Sequence, residues 1–442
     1  MRIGFLVEQM LAPVPGGTGR YSAELAAALA RTADPGDGVV GWCAFRRDVS
    51  GAAVPGVLGP LRLGLPRRAL AAAWARGVGP IPGGVDVVHA PTLLVPPRGL
   101  EALPPGVRHV ATAWRRTATG RHGDADPRSR TLIGGRLDGR SRLDGRSRLD
   151  GRSRLDGRSR LVVTVHDAVP WTHPETLTPH GVRWHREMGE RVAREADAVI
   201  VPTQAVAADV REHLPIDPER LHVIGEGVAD AVLRVPADAD RRAARLGLPE
   251  RGYLLTLATM EPRKGLDTAL AAMRHPAAPD LPLVHVGAAG WGDLGAGTAG
   301  PGGFAELAAA GRFRALGRIS DEDLAVVLSR ATALLAPSRS EGFGLPVIEA
   351  MAHGVPVVVS DTPALVEVAG DAALVARIGD AAGFAEALGR IVQNPRLHSR
   401  LSRSGLLRAA GFTWNEAARS CWELYRRISS SPAVSVAEDG RA

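Results

Sequence analysis

The sequence contains little cysteine and no long apolar segment. Its 442 residues include two cysteines, Cys43 and Cys421, in opposite halves of the chain. That distribution argues against a disulfide framework and favours a reducing compartment. No segment approaches the roughly 20 apolar residues that cross a bilayer, and the N-terminal MRIGFLVEQM is not followed by the apolar run of a secretory signal. We therefore expect a cytoplasmic protein.

Several patterns of catalytic residues are also missing. The sequence has no cysteines and histidines clustered at metal-ligand spacing. It has neither a Gly-x-Ser-x-Gly nucleophile elbow nor a P-loop. We therefore expect no bound metal, and the chemistry of serine hydrolases and P-loop enzymes is disfavoured.

The net charge of +7 is concentrated in one low-complexity segment. Residues 136–160 repeat the hexapeptide RLDGRS and hold nine arginines and four aspartates, which gives +5 and leaves +2 for the rest of the chain. Because no basic stripe interleaved with aromatic residues remains, we expect no nucleic-acid partner. The repeat, with polar flanking residues from about 115, is typical of a disordered insertion. The alternative is an arm attracted to anionic lipid or acidic glycan.

Short apolar strands alternate with amphipathic helices in two successive series. The first series begins with MRIGFLV and a helix from about Arg20 to Ala30, and the second begins after Gly227. Further strands are predicted at 85–89, 161–165 and 198–201, then at 253–258, 283–286, 333–335, 355–359 and 373–375. Such alternation predicts an α/β fold with two doubly wound, Rossmann-like domains facing a cleft. Ligands of such sheets bind beyond the carboxyl ends of the strands.

The most informative motif is Glu341-Gly-Phe-Gly-Leu-Pro-Val-Ile-Glu349, which follows a predicted strand. Its two glycines let the main chain approach a ligand closely, and Pro346 is favoured in the first turn of a helix. The amides of that turn then point outward at a helix N-terminus, which is a ready site for phosphate. A carboxylate on each side, Glu341 and Glu349, suits the hydroxyl groups of a sugar nucleotide.

A second motif, Glu261-Pro-Arg-Lys-Gly265, joins the strand predicted at 253–258 to a helix. Arg263 can grip a diphosphate through two hydrogen bonds, and Lys264 adds a point charge. Two basic residues alone would be consistent with a solvated turn. Because the glycine motif follows a strand of the same sheet, the two motifs together predict one phosphate site.

Two further segments lie at strand ends in the first series. His166-Asp167 ends the strand at 161–165, where a histidine can donate to a sugar hydroxyl or stabilise developing charge. The alternative is a buried histidine with its hydrogen bonds satisfied internally. Pro15-Gly-Gly-Thr-Gly-Arg20 lacks the full dinucleotide spacing, so we interpret it as a main-chain wall facing the ligand across the cleft, with a plain tight turn as the alternative.

On these residues the chain resembles glycosyltransferase family 4, whose members are retaining enzymes with the GT-B fold. The resemblance covers nearly the whole chain outside the insertion. It rests on GGTGRY at 16–21, TVHD at 164–167, EPRKG at 261–265, VGAAGWG at 286–292, GRISDEDL at 317–324 and EGFGLPVIEAMAHGVPVVVSD at 341–361. It implies an acceptor domain over 1–228, a donor-nucleotide domain over 229–410, a helix at 411–428 returning to the first domain, and a disordered tail at 429–442.

The resemblance also assigns roles to single residues. Arg263 and Lys264 match the pair that holds the donor diphosphate, Glu341 the acid at the donor sugar, and His166 the histidine beside the reacting sugar. The implied donor-binding positions are Gly17 near the phosphate, Ile319 near the base, Phe343, Gly344 and Leu345 with their amides near phosphate or sugar, and Glu349 at the ribose hydroxyls. No cofactor is implied, because the nucleoside-diphosphate sugar is the substrate.

The chain departs from the family pattern in two places. Many members have Gly-Arg where this chain has Ala258-Thr259, which removes one phosphate-facing arginine and leaves Arg263 to serve in its place. The repeat enters just before the strand that leads to His166, where it could disturb acceptor binding. A catalytically impaired sugar-nucleotide binder is therefore one alternative. An NAD-dependent oxidoreductase is another, which the incomplete dinucleotide fingerprint disfavours.

We therefore expect transfer of a hexose, from GDP-mannose or a UDP-sugar, to a hydroxyl of a glycan, a lipid-linked sugar or a small molecule. Synthesis of polysaccharide, glycolipid or glycoconjugate is the expected context. Residues 61–77 mix arginine with apolar residues. They predict either a helix that covers the sheet or a basic amphipathic helix in peripheral contact with the inner face of the membrane.

Overall fold

The computed structural model describes residues 1–98, 159–288 and 304–430. Nearly all of the insertion predicted at about 115–160 lies outside the described residues, as do most of the tail predicted at 429–442 and residues 289–292 of the VGAAGWG segment. Within the described ranges, no helix combines the length and the apolar character needed to span a bilayer.

The strands of the described chain form two sheets in which every pairing is parallel. The first sheet has the order β3-β2-β1-β4-β5-β6-β7 and the second the order β10-β9-β8-β11-β12-β13. The strands are β1 Arg2–Leu6, β2 Gly38–Cys43, β3 Leu58–Arg62, β4 Val87–Ala90, β5 Arg160–Thr164, β6 Ala198–Val201, β7 Leu221–Val223, β8 Leu254–Leu257, β9 Leu283–Val286, β10 Phe313–Gly317, β11 Ala333–Ala336, β12 Val357–Ser360 and β13 Ala373–Ala376. This arrangement confirms the predicted fold class.

Helices connect the strands and cover both faces of each sheet. They are α1 Gly16–Arg31, α2 Arg67–Ala75, α3 Val169–Thr172, α4 Pro179–Glu195, α5 Gln204–His213, α6 Asp230–Leu233, α7 Ala239–Leu246, α8 Leu266–Ala272, α9 Phe304–Ala309, α10 Asp321–Arg330, α11 Leu345–Ala352, α12 Pro363–Ala369, α13 Ala381–Gln393, α14 Pro395–Ala409 and α15 Trp414–Ser430. Several begin where a side chain accepts from a free amide of the first turn, as Thr203 does for α5 and Ser320 for α10.

The two-sided cover explains which strands were recognisable from sequence. Strands β4, β6, β9 and β12 are buried at every position, as expected for parallel strands between two layers of helices. Strands β2, β3, β7 and β10 were not predicted. Glycine interrupts β2, β3 is mostly exposed at the sheet edge, β7 has three residues, and β10 carries exposed positions.

Two predicted helices need correction. The first helix was expected from about Arg20, but α1 begins at Gly16, so the glycine segment forms its first turn and is not a separate loop. A single helix over residues 61–77 is wrong, because 61 and 62 belong to β3 and α2 begins at Arg67. Pro66 directly precedes α2 and holds an extended conformation there.

The last helix, α15, lies against α1 of the first domain after the second sheet is complete. The indole of Trp422 donates to the carbonyl oxygen of Leu29 at 3.1 Å. The Tyr425 hydroxyl lies 2.6 Å from Nδ1 of His89, a fully buried residue of β4. Burial lowers the pKa of His89 to about 3, with a further contribution from His166. The ring is therefore neutral, and Tyr425 satisfies one of its two nitrogens.

We expect Tyr425→Phe to destabilise the docked helix, because it leaves Nδ1 of His89 buried without a partner. Such a loss costs about 1–3 kcal/mol. The midpoint of urea denaturation, followed by circular dichroism, should fall accordingly. Glu423→Gln, an exposed change on the same helix, is the control and should leave the midpoint unchanged. Equal midpoints for both variants would mean that this hydrogen bond does not stabilise the docked helix.

Candidate functional site

The predicted site residues gather where the carboxyl ends of the two sheets face each other. His166 follows β5 of the first sheet, and Glu341 follows β11 of the second. The two sides of the cleft, one from each sheet, are in contact: the hydroxyl of Thr203, after β6, donates to the carbonyl oxygen of Gly342, after β11, at 3.0 Å. A Cβ built on Gly342 would lie 1.8 Å from the carbonyl oxygen of His166. The two walls therefore meet at a position where only glycine fits.

A partly buried ion pair lies between the turn after β8 and the loop after β11. The Lys264 ammonium lies 2.6 Å and 2.7 Å from the two carboxylate oxygens of Glu341. Nη1 of Arg263 lies 3.5 Å from the same carboxylate and donates to the Ser340 carbonyl oxygen at 3.0 Å. The Ser338 hydroxyl donates to Glu341 Oε1 at 2.7 Å. These contacts fix the orientation of the carboxylate.

The cations also fix the charge state of Glu341. Burial alone would raise the pKa of this carboxyl, but Lys264 and Arg263 outweigh burial and hold the pKa below its ordinary value. For Lys264, burial lowers the pKa, and Glu341 opposes that effect only in part. Glu341 is therefore an ionised acceptor that could receive a hydroxyl hydrogen bond.

Lys264 is the only lysine in the sequence, so 53 of the 54 cationic residues are arginine. The compact ammonium lies between the two oxygens of the Glu341 carboxylate, whereas a guanidinium is larger and planar and presents a fixed fork of donors. In a chain that otherwise uses arginine throughout, composition alone singles out this position.

A left-handed glycine brings the cationic turn against the glycine motif. Arg263 and Lys264 form a single 3-10 turn that ends at Gly265, whose φ is +68°. A Cβ there would lie 2.0 Å from the carbonyl oxygen of Pro337. The Arg339 amide donates to the Arg263 carbonyl oxygen at 2.8 Å. The turn after β8 and the loop after β11 are thus joined through main-chain contacts.

The glycine motif turns directly into α11. The helix begins at Leu345, one residue before Pro346, and Gly344 precedes it with a φ of +99°. Phe343 is buried, and its ring lies 5.6 Å from that of Phe412. Leu345 is also buried, at 8% exposure. The side chains of 343 and 345 therefore anchor the turn, which leaves only main-chain groups for contact with a ligand.

Across the cleft, His166 is placed between two acceptors. Its Nε2 lies 2.8 Å from the Pro91 carbonyl oxygen, and its Nδ1 faces Glu226 Oε1 at 3.7 Å. The Tyr21 ring packs edge-on at 4.6 Å. Burial by itself lowers the pKa of His166, but Glu226 and the Pro91 carbonyl outweigh burial and raise it. Since both ring nitrogens face acceptors, the arrangement favours the doubly protonated imidazolium.

Glu349, in the second turn of α11, is buried at 4% exposure. Its Oε1 lies 3.7 Å from Nη1 of Arg20, whose Nη2 donates to Asp321 at 2.5 Å. Burial raises the pKa of Glu349, and Arg20 opposes this only partly. Ile319 lies two residues before Asp321, half-buried against the apolar core. Gly17 is exposed, and a Cβ on it would meet nothing within 4 Å.

Sequence reasoning missed Arg20, Glu226 and Asp321. Glu226 stands between Gly225 and Gly227 directly after β7 and is 6% exposed. The pattern that could have identified Glu226 from sequence is a single acidic residue between two glycines after a strand. Arg20 closes the glycine segment, and Asp321 opens α10, but neither position is distinguishable from a solvated charge without the fold.

Among the described residues, no group of three or more His, Cys, Asp or Glu is placed to hold a metal ion.

Two family models match the chain. The model for Glycosyl transferases group 1 matches residues 239–408, and that for Glycosyltransferase Family 4 matches residues 142–232. The first match contains Arg263, Lys264, Glu341 and Glu349, and the second contains His166.

Curated relatives match the chain over part of its length. An MMP alpha-(1→4)-mannosyltransferase of Mycolicibacterium hassiacum is 30% identical over 62% of this chain and 67% of its own. A D-inositol 3-phosphate glycosyltransferase of Nocardioides sp. is 34% identical over 54% of this chain and 55% of its own. The chain thus spans about half to two thirds of the relatives it matches.

A solved structure supports the architecture over nearly the whole chain. HepE of Anabaena, in complex with UDP and glucose, superposes with a TM-score of 0.64 over 97% of this chain and 100% of its own. At 16% identity this likeness concerns the fold alone. It agrees with the two-domain arrangement that the parallel sheets already define.

We expect Gly342→Ala to prevent close approach of the two domains, because the added methyl would collide with the His166 carbonyl oxygen. The variant should show a larger radius of gyration by small-angle X-ray scattering. Gly64→Ala is the control, because a Cβ there meets nothing within 4 Å. A wild-type radius for Gly342→Ala would contradict the contact.

We expect Glu226→Gln to lower the pKa of His166, which NMR titration of the imidazole would measure. The wild-type pKa is raised, so the stabilisation from protonated His166 is complete below the ordinary histidine pKa of about 6.5 and is lost as pH rises through the folded value. The variant should lose that stabilisation at lower pH. Glu219→Gln, exposed beyond α5, should change neither quantity. An unchanged His166 pKa in Glu226→Gln would mean that Glu226 does not act on the ring.

Proposed function

This chain is a member of glycosyltransferase family 4, the group 1 glycosyl transferases, and has their GT-B fold; from this premise we propose that it transfers a hexose from a nucleoside-diphosphate sugar to a hydroxyl acceptor with retention of anomeric configuration. The supporting observation is the position of Lys264, Arg263 and Glu341 directly across the cleft from His166. Cations, an ionised carboxylate and a glycine turn at the start of α11 are together the groups that a pyrophosphate-linked sugar requires.

The donor diphosphate would compete for the two cations. Lys264 lies within 2.7 Å of both oxygens of Glu341. We infer that an arriving phosphate draws the ammonium away from the carboxylate and leaves Glu341 free to accept from a sugar hydroxyl. As the bond from sugar to diphosphate breaks, Arg263, Lys264 and the amides before α11 stabilise the charge on the leaving group.

The acceptor hydroxyl would attack from the face that the diphosphate leaves, and a phosphate oxygen would take its proton. An imidazolium at His166 has no lone pair for a proton, so its proposed role is to donate to a sugar hydroxyl or to developing charge. The contact of Gly342 with His166 closes the site, and closure limits hydrolysis of the donor by excluding water. No metal or cofactor takes part in this proposal.

GDP-mannose or a UDP-sugar is the proposed donor. The name of the M. hassiacum relative describes a mannosyltransferase, and the Anabaena structure contains UDP. The proposed acceptor is a glycan, a lipid-linked sugar or a small molecule, in polysaccharide, glycolipid or glycoconjugate synthesis.

Helix α2 buries Leu70 and Trp74, which favours a helix that covers the sheet. Peripheral membrane contact would therefore rest on its exposed Arg67 and Arg68.

The function is tested by incubating the full chain with each pairing of a common base and sugar and following release of the nucleoside diphosphate. A broad panel of glycan and lipid-linked acceptors accompanies each donor, and proton NMR of the product gives the anomeric configuration. Release that depends on an acceptor, with retention, is expected. Donor binding without release would favour the impaired binder, and an inverted product would contradict retention.

Lys264→Arg should reduce diphosphate release about tenfold to a hundredfold, although it preserves the charge. A guanidinium is larger than an ammonium, so we expect it to displace the Glu341 carboxylate, and misplacing a charged hydrogen bond costs about 1.5–3 kcal/mol. The matched control is the reverse exchange, Arg403→Lys, at an exposed position of α14, which should leave release unchanged. Wild-type activity of Lys264→Arg would show that charge alone suffices.

A further inference from the structure

Arg20 extends from the acceptor-side domain across the cleft to the donor-side domain. It lies near the start of α1, and the two carboxylates that form ion pairs with it, Asp321 and Glu349, belong to helices of the second sheet. Glu24, one turn further along α1, is a third carboxylate near its guanidinium. Nη2 donates to Asp321 at 2.5 Å, while Nη1 lies 3.7 Å from Glu349. One end of the guanidinium is therefore fixed, and the other lies beside the acid proposed to bind ribose.

Nη1 of Arg20 lacks an acceptor. Its atom is buried and makes no hydrogen bond to any of the residues that the structure describes. The separation from Glu349 exceeds hydrogen-bond length. Burying a charged N–H donor without a hydrogen-bond acceptor costs more than burying a neutral donor in the same way. A ligand that supplies an oxygen at this point would remove that cost.

The position limits what the ligand oxygen can be. Glu349 is an acceptor for ribose hydroxyls under the proposed function, and a hydroxyl bound to it would not also need Arg20. A guanidinium N–H prefers an anionic oxygen. In a nucleotide, the anionic group within one sugar of the ribose hydroxyls is the phosphate attached to the ribose.

The charges on the opposite wall show why another cation is needed. Arg263 and Lys264 are shared with two carboxylates: Glu341, at 3.5 Å and 2.6 Å, and Glu261, which lies 3.6 Å from Arg263. These four charges cancel before a diphosphate arrives. Thr259 occupies the position where an arginine was expected to face the phosphate. Each of these two cations therefore already has a carboxylate partner.

We propose that Arg20 binds the ribose-linked phosphate of the donor nucleotide through Nη1, and so replaces the cation that is absent at Thr259. Asp321 is the positioning residue that holds Nη2. This inference deepens the proposed function and rests on it. Because Arg20 and Asp321 lie in different domains, nucleotide binding through Arg20 also favours the closed cleft.

The test is calorimetric titration of the full chain with nucleoside, monophosphate and diphosphate in the uridine and guanosine series. Arg20→Gln should raise the Kd of the monophosphate and the diphosphate by the same factor, about tenfold to a hundredfold. The Kd of the nucleoside, measured by competition, should stay within about twofold. Arg20→Lys keeps the positive charge but lacks the planar guanidinium with its several donors. Its Kd values for the nucleotides should therefore lie between those of wild type and Arg20→Gln.

Two further variants control the experiment. Arg31→Gln removes an exposed arginine of the same helix, which donates to Asn415, and should change no Kd. Asp321→Asn should weaken the binding of monophosphate and diphosphate less than Arg20→Gln does. In the double variant it should add little to the loss of affinity caused by Arg20→Gln, because both changes act on one contact. If Asp321 had only a structural role, its substitution would weaken nucleoside binding as well. Thermal midpoints establish that each variant is folded.

Each remaining outcome overturns a defined statement. If Arg20→Gln binds both nucleotides as wild type does, or loses nucleoside and nucleotide equally, Arg20 does not bind phosphate. If only the diphosphate is weakened, Arg20 contacts the distal phosphate and the assignment is wrong. If wild type binds no nucleotide in either series, the proposed function falls, and this inference falls with it.

Discussion

The ion pair between Lys264 and Glu341 is the interaction on which the arrangement of the turn after β8 and the loop after β11 depends. Both groups are largely removed from solvent, and breaking a buried pair by removing one partner is far more costly than the pair is stabilising. Removing either charge alone would leave the other charge without its partner. The single lysine of the chain stands at this point. Burial acts to raise the pKa of the Glu341 carboxyl, but Lys264 and Arg263 keep that pKa below its ordinary value.

Glycine makes this arrangement possible because it lets main chain meet main chain. Gly265 brings the turn after β8 against Pro337, and Gly342 brings the loop after β11 against His166 in the other domain. Each contact leaves no room for a Cβ. The first assembles the donor-side groups on one wall, and the second sets how near the opposite wall comes. The same residue type therefore builds the site and defines its closed state.

The two walls of the cleft distribute charge differently. In the loops after β8 and β11 of the second domain, carboxylates pair with Arg263 and Lys264, so cations and anions balance. In the first domain, Glu226 favours a protonated His166, and Arg20 reaches across the cleft to Asp321. Helix α15 follows the second domain and contacts the first through Trp422 and Tyr425, so it links the two domains. Charge balance at the site is thus a property of both domains together.

The sequence by itself determined the fold class and the donor-side motifs, because buried parallel strands leave apolar runs and because Arg263, Lys264, Glu341 and Glu349 lie in short segments at strand ends. It did not determine edge strands such as β3, whose residues are mostly exposed. Only the tertiary structure decided the partners of His166 and Arg20. Their carboxylates, Glu226 and Asp321, stand 60 and 301 residues away along the chain, and contacts between distant segments leave no local pattern of spacing or periodicity.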